Sequence, residues 1–137
     1  MKPVWLTVDS DDLRHLPKHQ GHPNRSKQPY PDRVSIRMKK AMKSFRQWLD
    51  MTRVPLTIFV IADQLSDDEF NIWLGELIDK HPQVTIGCHG LNHRSWSAWA
   101  EDTEGFTAAL LEAIQIIHTF AGDSFRPWFR APAGYIA

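Results

Sequence analysis

Leu56-Thr57-Ile58-Phe59-Val60-Ile61-Ala62 is a nearly continuous apolar run that starts directly after Pro55. A strand with one wet face alternates apolar and polar residues. A run without alternation is what a parallel strand covered on both faces requires. Consecutive parallel strands must be joined by long crossovers, most often helices. The run therefore directs the chain towards an α/β architecture.

The flanking sequence supplies the helices. Met38, Ala41, Met42, Phe45, Trp48 and Leu49 recur on one face of a helix predicted over residues 34–51, with Lys39, Lys40, Lys43 and Arg46 largely elsewhere. Ser66-Asp67-Asp68-Glu69 reads as a capping box, with Ser66 at the N-cap and Glu69 at N3. The helix it opens turns Phe70, Trp73, Leu74, Leu77 and Ile78 inward and stops at His81-Pro82. His81 suits the negative end of that helix dipole. Phe106, Ala109, Leu110, Ala113, Ile114, Ile117 and Phe120 mark another amphipathic helix, ended by Gly122. Further β-like runs occupy residues 4–8, 84–88 and 125–129. The order is strand, long loop and helix, strand, helix, strand, helix, strand. That alternation predicts a parallel sheet built by right-handed crossovers.

The 137 residues suit one domain, and 42% hydrophobic content is enough for a packed core. Sixteen acidic and sixteen basic residues balance, which argues against nucleic acid or an anionic membrane as partner. Cys88 is the only cysteine, so no disulfide forms within the chain. The N-terminus has no signal-peptide pattern and no apolar run is long enough to span a bilayer, so a soluble, cytoplasmic protein is expected. Residues 13–33 change character: His15, His19 and His22 are set among Lys18, Arg25, Lys27 and four prolines. They read as an exposed basic loop rather than a ligand set.

Three polar clusters follow three of the predicted strands, where α/β folds carry their chemistry. Asp9-Ser10-Asp11-Asp12 follows the first, His89-Gly90-Leu91-Asn92-His93 the third, and Arg130-Ala131-Pro132-Ala133-Gly134-Tyr135 the fourth. Each alone has an ordinary explanation, a solvated turn for the acids and unrelated histidines for the pair. Together they suggest a metal site. Two imidazoles four residues apart can meet on one face of a helical turn, and with one of the aspartates they supply the three ligands of a catalytic cation with an open position. Such a cation acidifies water and polarises a carbonyl. Asp9 and Asp11, two residues apart in an extended segment, point to the same side, which suits a base beside a ligand. Arg130 could pair with the base and keep it ionised. The pair lacks the glutamate of His-Glu-x-x-His, so a zincin protease is disfavoured. Trp96 and Trp99 read equally well as core or as a surface for stacking sugars.

These clusters resemble the motifs of the polysaccharide deacetylases with the NodB homology domain, carbohydrate esterase family 4. Leu6 to Asp12 is similar to the family's Thr-Phe-Asp-Asp-Gly, His89 to His93 to its His-Ser/Thr/Gly-x-x-His, and Arg130 to Gly134 to its Arg-x-Pro-Tyr/Phe-Gly. Residues 55–62 are similar to its "ATFFV" strand. The resemblance covers the chain apart from residues 13–33. It implies the first part of a distorted (β/α) barrel and a metal-dependent hydrolase that removes acetyl groups from peptidoglycan or chitin-type amino sugars. It implies a divalent metal, most often zinc, with His89 and His93 as ligands. Asp9 becomes the general base and Arg130 the residue that orients it. The backbone N–H of Ala133, where the family has Tyr or Phe, becomes an oxyanion donor. Strict alignment puts Ser10 at the aspartate-ligand position. An Asp-x-Asp reading makes Asp11 the ligand, with Asp12 in reserve.

The sequence stops just after the third motif. The later strands, with the histidine that acts as the family's general acid, are then expected from a missing C-terminal half or from assembly with another chain. A metal-dependent amidohydrolase on a small non-sugar amide, and an inactive metal- or sugar-binding remnant, are the rival readings.

Overall fold

The computed structural model describes residues 2–21, 23 and 26–134, Gly134 by its backbone alone. Of the residues singled out above, His22, Arg25 and Tyr135 lie outside the described set. Four strands form one sheet in the order β1 (Thr7–Asp9), β2 (Leu56–Val60), β3 (Val84–Cys88), β4 (Phe125–Phe129), with every neighbouring pair parallel. Between them run α1 (Pro17–Gln20), α2 (Ile36–Thr52), α3 (Asp68–Lys80) and α4 (Thr103–Ala121). The predicted alternation is the observed one.

The pattern of apolar residues explains the packing. Leu56, Ile58 and Val60 of β2 and Val84, Ile86 and Cys88 of β3 share the core with Met42, Leu49, Phe70, Leu74, Leu77, Ala113 and Ile117 from the helices. Full burial of one such Leu, Ile or Phe side chain contributes about 1.5–3 kcal/mol. The alternate residues of β2 are covered too. Trp5 donates its indole N–H to Thr57 Oγ1 at 3.0 Å, and its ring lies 6.4 Å from Phe59 and 5.3 Å from Trp128. All five residues of β2 are therefore buried, as the run without alternation predicts.

Three local expectations need correction. The first strand is Thr7–Asp9 rather than residues 4–8, with Val4, Trp5 and Leu6 exposed ahead of it. The N-cap of α3 is Asp67, which accepts the Phe70 N–H, and not Ser66, whose hydroxyl donates to the Asp63 carbonyl. Both residue types cap well, and Asp67 wins because its second oxygen accepts the Val34 N–H and ties α3 to the entry of α2. Residues 13–33 are not an exposed loop throughout. Leu13–His15 form a 3₁₀ turn, α1 follows, and Arg14, His15 and His19 are buried. Arg14 is neutralised on two sides, by Asp32 and by Asp63, which gives a buried guanidinium the partners it requires. His19 bonds the Gln28 carbonyl through Nδ1 at 2.9 Å and lies against the Tyr30 ring.

His81 caps α3 as expected of its position, and its Nε2 also meets Asp50 Oδ1 of α2 at 2.7 Å. Among the described residues no helix is long and apolar enough to cross a membrane.

Candidate metal centre

β1, β3 and β4 run in parallel and so end on one side, which brings the three clusters together. Asp9 closes β1, His89 follows β3 and Arg130 follows β4. Ladder-like bonds continue past the strand ends: Ser10 N–H to Phe59 O at 3.0 Å, His89 N–H to Val60 O at 2.8 Å and Arg130 N–H to Cys88 O at 2.9 Å.

The two histidines do not share a helical turn. Residues 89–93 form an irregular loop in which Gly90 has φ 92° and His93 has φ 62°. Positive φ breaks a right-handed turn, and Gly90 adopts it without a Cβ penalty. Gly90 and Leu91 accept the N–H groups of Ala62 and Asp63, so the loop is held by the end of β2. Looping back brings the two imidazoles to 5.0 Å between centroids.

Both rings are fixed from behind. His89 Nδ1 donates to the Arg130 carbonyl at 2.8 Å, and His93 Nδ1 donates to the His15 carbonyl at 3.0 Å. A carbonyl only accepts, so each Nδ1 carries the hydrogen and each neutral Nε2 presents a lone pair. Those Nε2 atoms lie 3.2 and 3.1 Å from the two oxygens of Asp11. His93 Nε2 is buried and has no hydrogen-bond partner despite that closeness. One ligand atom from each of Asp11, His89 and His93 lies within 4.8 Å of the others. An oriented pair of imidazole nitrogens, one of them orphaned, facing a carboxylate fits a divalent cation with N and O ligands.

The neighbouring acids are engaged elsewhere. Ser10 is buried: its hydroxyl donates to Gln64 Oε1 at 2.5 Å and accepts the Ile61 N–H at 3.0 Å. It is turned into the protein, so strict alignment to Asp-Asp-Gly fails here. Asp12 accepts from the Leu13 N–H, the Ser35 N–H and the Ser35 hydroxyl. It holds the chain and is not available as the reserve ligand.

Asp9 has the surroundings of a base. Arg130 Nη1 donates to Asp9 Oδ1 at 2.7 Å and its Nη2 to Thr7 Oγ1 at 2.6 Å, while the guanidinium lies 4.2 Å above the Phe59 ring. Asp9 Oδ2 is 3.9 Å from His89 Nε2, so it borders the three-residue cluster without joining it. Ala133 stands at φ 56°, beside Asp11, His93, Ser95 and Trp99 along an open groove of about 600 Å³. Trp96 and Trp99 flank Arg94, with ring centroids 4.1 and 4.7 Å from the guanidinium carbon, so neither is a core residue.

Burial alone would raise the Asp11 pKa, but the adjacent imidazoles of His89 and His93 outweigh it and hold the carboxyl well below the usual carboxylate range. Burial alone would lower the His89 pKa. Contact with Asp11, the bond to the Arg130 carbonyl and the Asp9 charge outweigh it and raise the ring above its ordinary 6.5. An ionised carboxylate and neutral imidazole lone pairs are the forms a cation would require of these residues.

Residues 2–137 match the family described as polysaccharide deacetylase. The chain belongs to that family. The solved structure of PuuE allantoinase superposes with a TM-score of 0.53 at 18% sequence identity, over 90% of this chain and 43% of the other. That likeness concerns the fold, and this chain spans less than half of the allantoinase. No curated protein gives a significant match. Family membership agrees with the resemblance drawn from the three motifs.

The site also contains a residue that sequence reasoning passed over. His15 is buried against His93, and its sequence signal is its place three residues after Asp12, where a turn-capping side chain would stand.

Proposed function

We propose that this protein hydrolyses the acetamido group of an N-acetylated carbohydrate. The observation that carries the reading is the convergence of Asp11, His89 and His93 next to the Asp9–Arg130 pair. A divalent cation, zinc being the first choice from the N/O donor set, would be held by those three residues and supply Lewis acidity for water and carbonyl alike. Asp9 removes the proton from the attacking water. Arg130 keeps Asp9 aimed, because its bonds to Asp9 and Thr7 and the Phe59 face leave the guanidinium one position. The Ala133 N–H donates to the oxyanion as the carbonyl carbon becomes tetrahedral. Collapse breaks the C–N bond and releases acetate and the amine. The amine takes up a proton as it leaves.

The lining of the groove favours a sugar as the substrate. Ser95, Ser97 and Gln20 give its lining polar groups, and Trp99 adds a partly exposed aromatic ring. The small Ala133 leaves room where the family carries an aromatic ring. A second reading, hydrolysis of a small cyclic or linear amide, is kept because a protein of this fold is an allantoinase.

The test starts with metal content and affinity of the wild type beside His89→Ala and Asp11→Ala. Near-stoichiometric metal in the wild type, lost in both variants, is expected. A folded wild type with no specific metal would sink the reading. Loaded protein is then assayed on N-acetylated chito-oligosaccharides and on allantoin. Release of acetate from the sugar alone supports deacetylation, and turnover of allantoin alone supports the second reading.

A further inference from the structure

His15 lies in the stretch that the three motifs leave unexplained. It is 2% exposed and touches two of the ligand-bearing segments. Its Nδ1 accepts the Asp12 backbone N–H at 2.9 Å. A ring nitrogen that accepts carries no hydrogen, so the neutral ring is protonated on Nε2. That atom is buried, has no hydrogen-bond partner and lies 3.7 Å from Asp63 Oδ1. The Asp63 carboxylate, itself 3.4 Å from Arg14, favours the hydrogen on that side and so leaves Nδ1 free to accept. The carbonyl of the same residue receives the His93 Nδ1–H across 78 positions of sequence.

We infer that His15 is a positioning residue for the cation site: its ring fixes the turn that follows Asp11, and its carbonyl, held in that turn, aims His93. The inference rests on Asp11, His89 and His93 being ligands. The turn needs the help. It is a single 3₁₀ turn with backbone bonds from His15 N–H to Asp12 O and from Leu16 N–H to Leu13 O, and one such turn is not stable by itself. Asp12 is gripped at both ends, its N–H by the His15 ring and its carboxylate by Ser35. Asp11 immediately precedes it. A ring and a carbonyl of one residue thus orient ligands from two distant segments, in the way outer partners set the ligands of metal sites.

Three variants of the full chain test this. His15→Asn leaves an amide oxygen near the place of Nδ1, His15→Gln moves the amide beyond it, and His15→Leu removes the acceptor. Zinc affinity is read by chelator competition, ligand geometry by the visible spectrum of the cobalt form, and the His93 tautomer by nitrogen NMR of the metal-free protein. Leu and Gln are expected to weaken zinc binding by about 10–100-fold, the range for outer-partner loss. They should also shift the cobalt spectrum and release His93 from the pure Nδ1–H tautomer. Asn should restore all three readouts. Wild-type affinity and tautomer in the Leu variant would overturn the inference, and so would an Asn variant that loses as much as Leu. If Leu does not fold, the contrast of Asn with Gln decides in the same sense. If the wild type binds no cation the ligand reading fails, and the His93 tautomer series still decides the role of His15.

Discussion

At the scale of single residues, His89 gives two opposite pH trends from one ring. In the metal-free protein its pKa is raised above the unfolded 6.5. Its contribution to stability is then fully present below that value and is lost as pH rises through the higher folded one. A cation needs the neutral ring, so binding strengthens over the same interval. Thermal unfolding followed from pH 6 to 9 should show the chelated wild type losing stability relative to His89→Gln, while added zinc reverses the slope. Parallel pH profiles for wild type and variant would dismiss the coupling. Gly87 makes a second case. A Cβ there would stand 2.8 Å from the Phe59 ring, which carries Arg130 on its face. Gly87→Ala is expected to cost about 1–3 kcal/mol, the range for overpacking. It should lower turnover more than metal affinity, because the displaced ring carries the Arg130 guanidinium that holds Asp9. Denaturant titration and metal binding check the two halves separately. Asp9→Asn should keep the cation and abolish hydrolysis; retained activity would remove Asp9 from the role of base.

At the scale of elements, Asp67 links two helices through one carboxylate. Burial works against its ionisation, but N–H groups of Val34, Phe70 and Glu69 hold the pKa below the unfolded 3.8. The contribution is therefore present above that value and lost as pH falls through the folded one. Asp67→Ala should cost about 1 kcal/mol, typical of an N-cap. In acid titrations followed by circular dichroism, the wild type should approach the variant's stability as pH drops through the carboxylate range. A constant gap down to pH 2 would contradict this. This scale also shows what the sequence could and could not reveal. The alternation of β2 with amphipathic helices was readable because burial imposes a period. The cap was misplaced by one residue because Ser66 and Asp67 are both competent, and only the distant Val34 N–H selects between them. The 89–93 loop was expected to be helical because spacing alone cannot report φ; Gly90 was the one local sign against it. The burial of His15 and His19 was hidden by prolines and lysines that suggest solvent, since partners such as Asp63 and Gln28 exist only in three dimensions.

At the scale of the whole molecule, the sheet has an unpaired edge at β1 and another at β4 among the described residues. Val4, Trp5 and Leu6 lie exposed beside β1, and Trp128 and Phe129 of β4 are partly exposed. Unpaired edges with apolar neighbours favour association. The 137-residue chain is expected to sediment as larger species with rising concentration, and Leu6→Lys with Trp128→Lys should reduce this. Monomer behaviour over a wide concentration range would count against it.

The Asp9–Arg130 bond joins residues 121 positions apart. Closing a loop this long costs more conformational entropy than closing a shorter one, and pairing of the intervening strands lowers that cost. A chain with β1, β2 and β3 paired has Asp11 on one side of β2 and His89 and His93 on the other. It lacks the Arg130 guanidinium that orders Asp9 and the Arg130 carbonyl that turns the His89 ring. The docking of β4 thus adds to Asp11, His89 and His93 both the side chain that holds Asp9 and the carbonyl that turns His89.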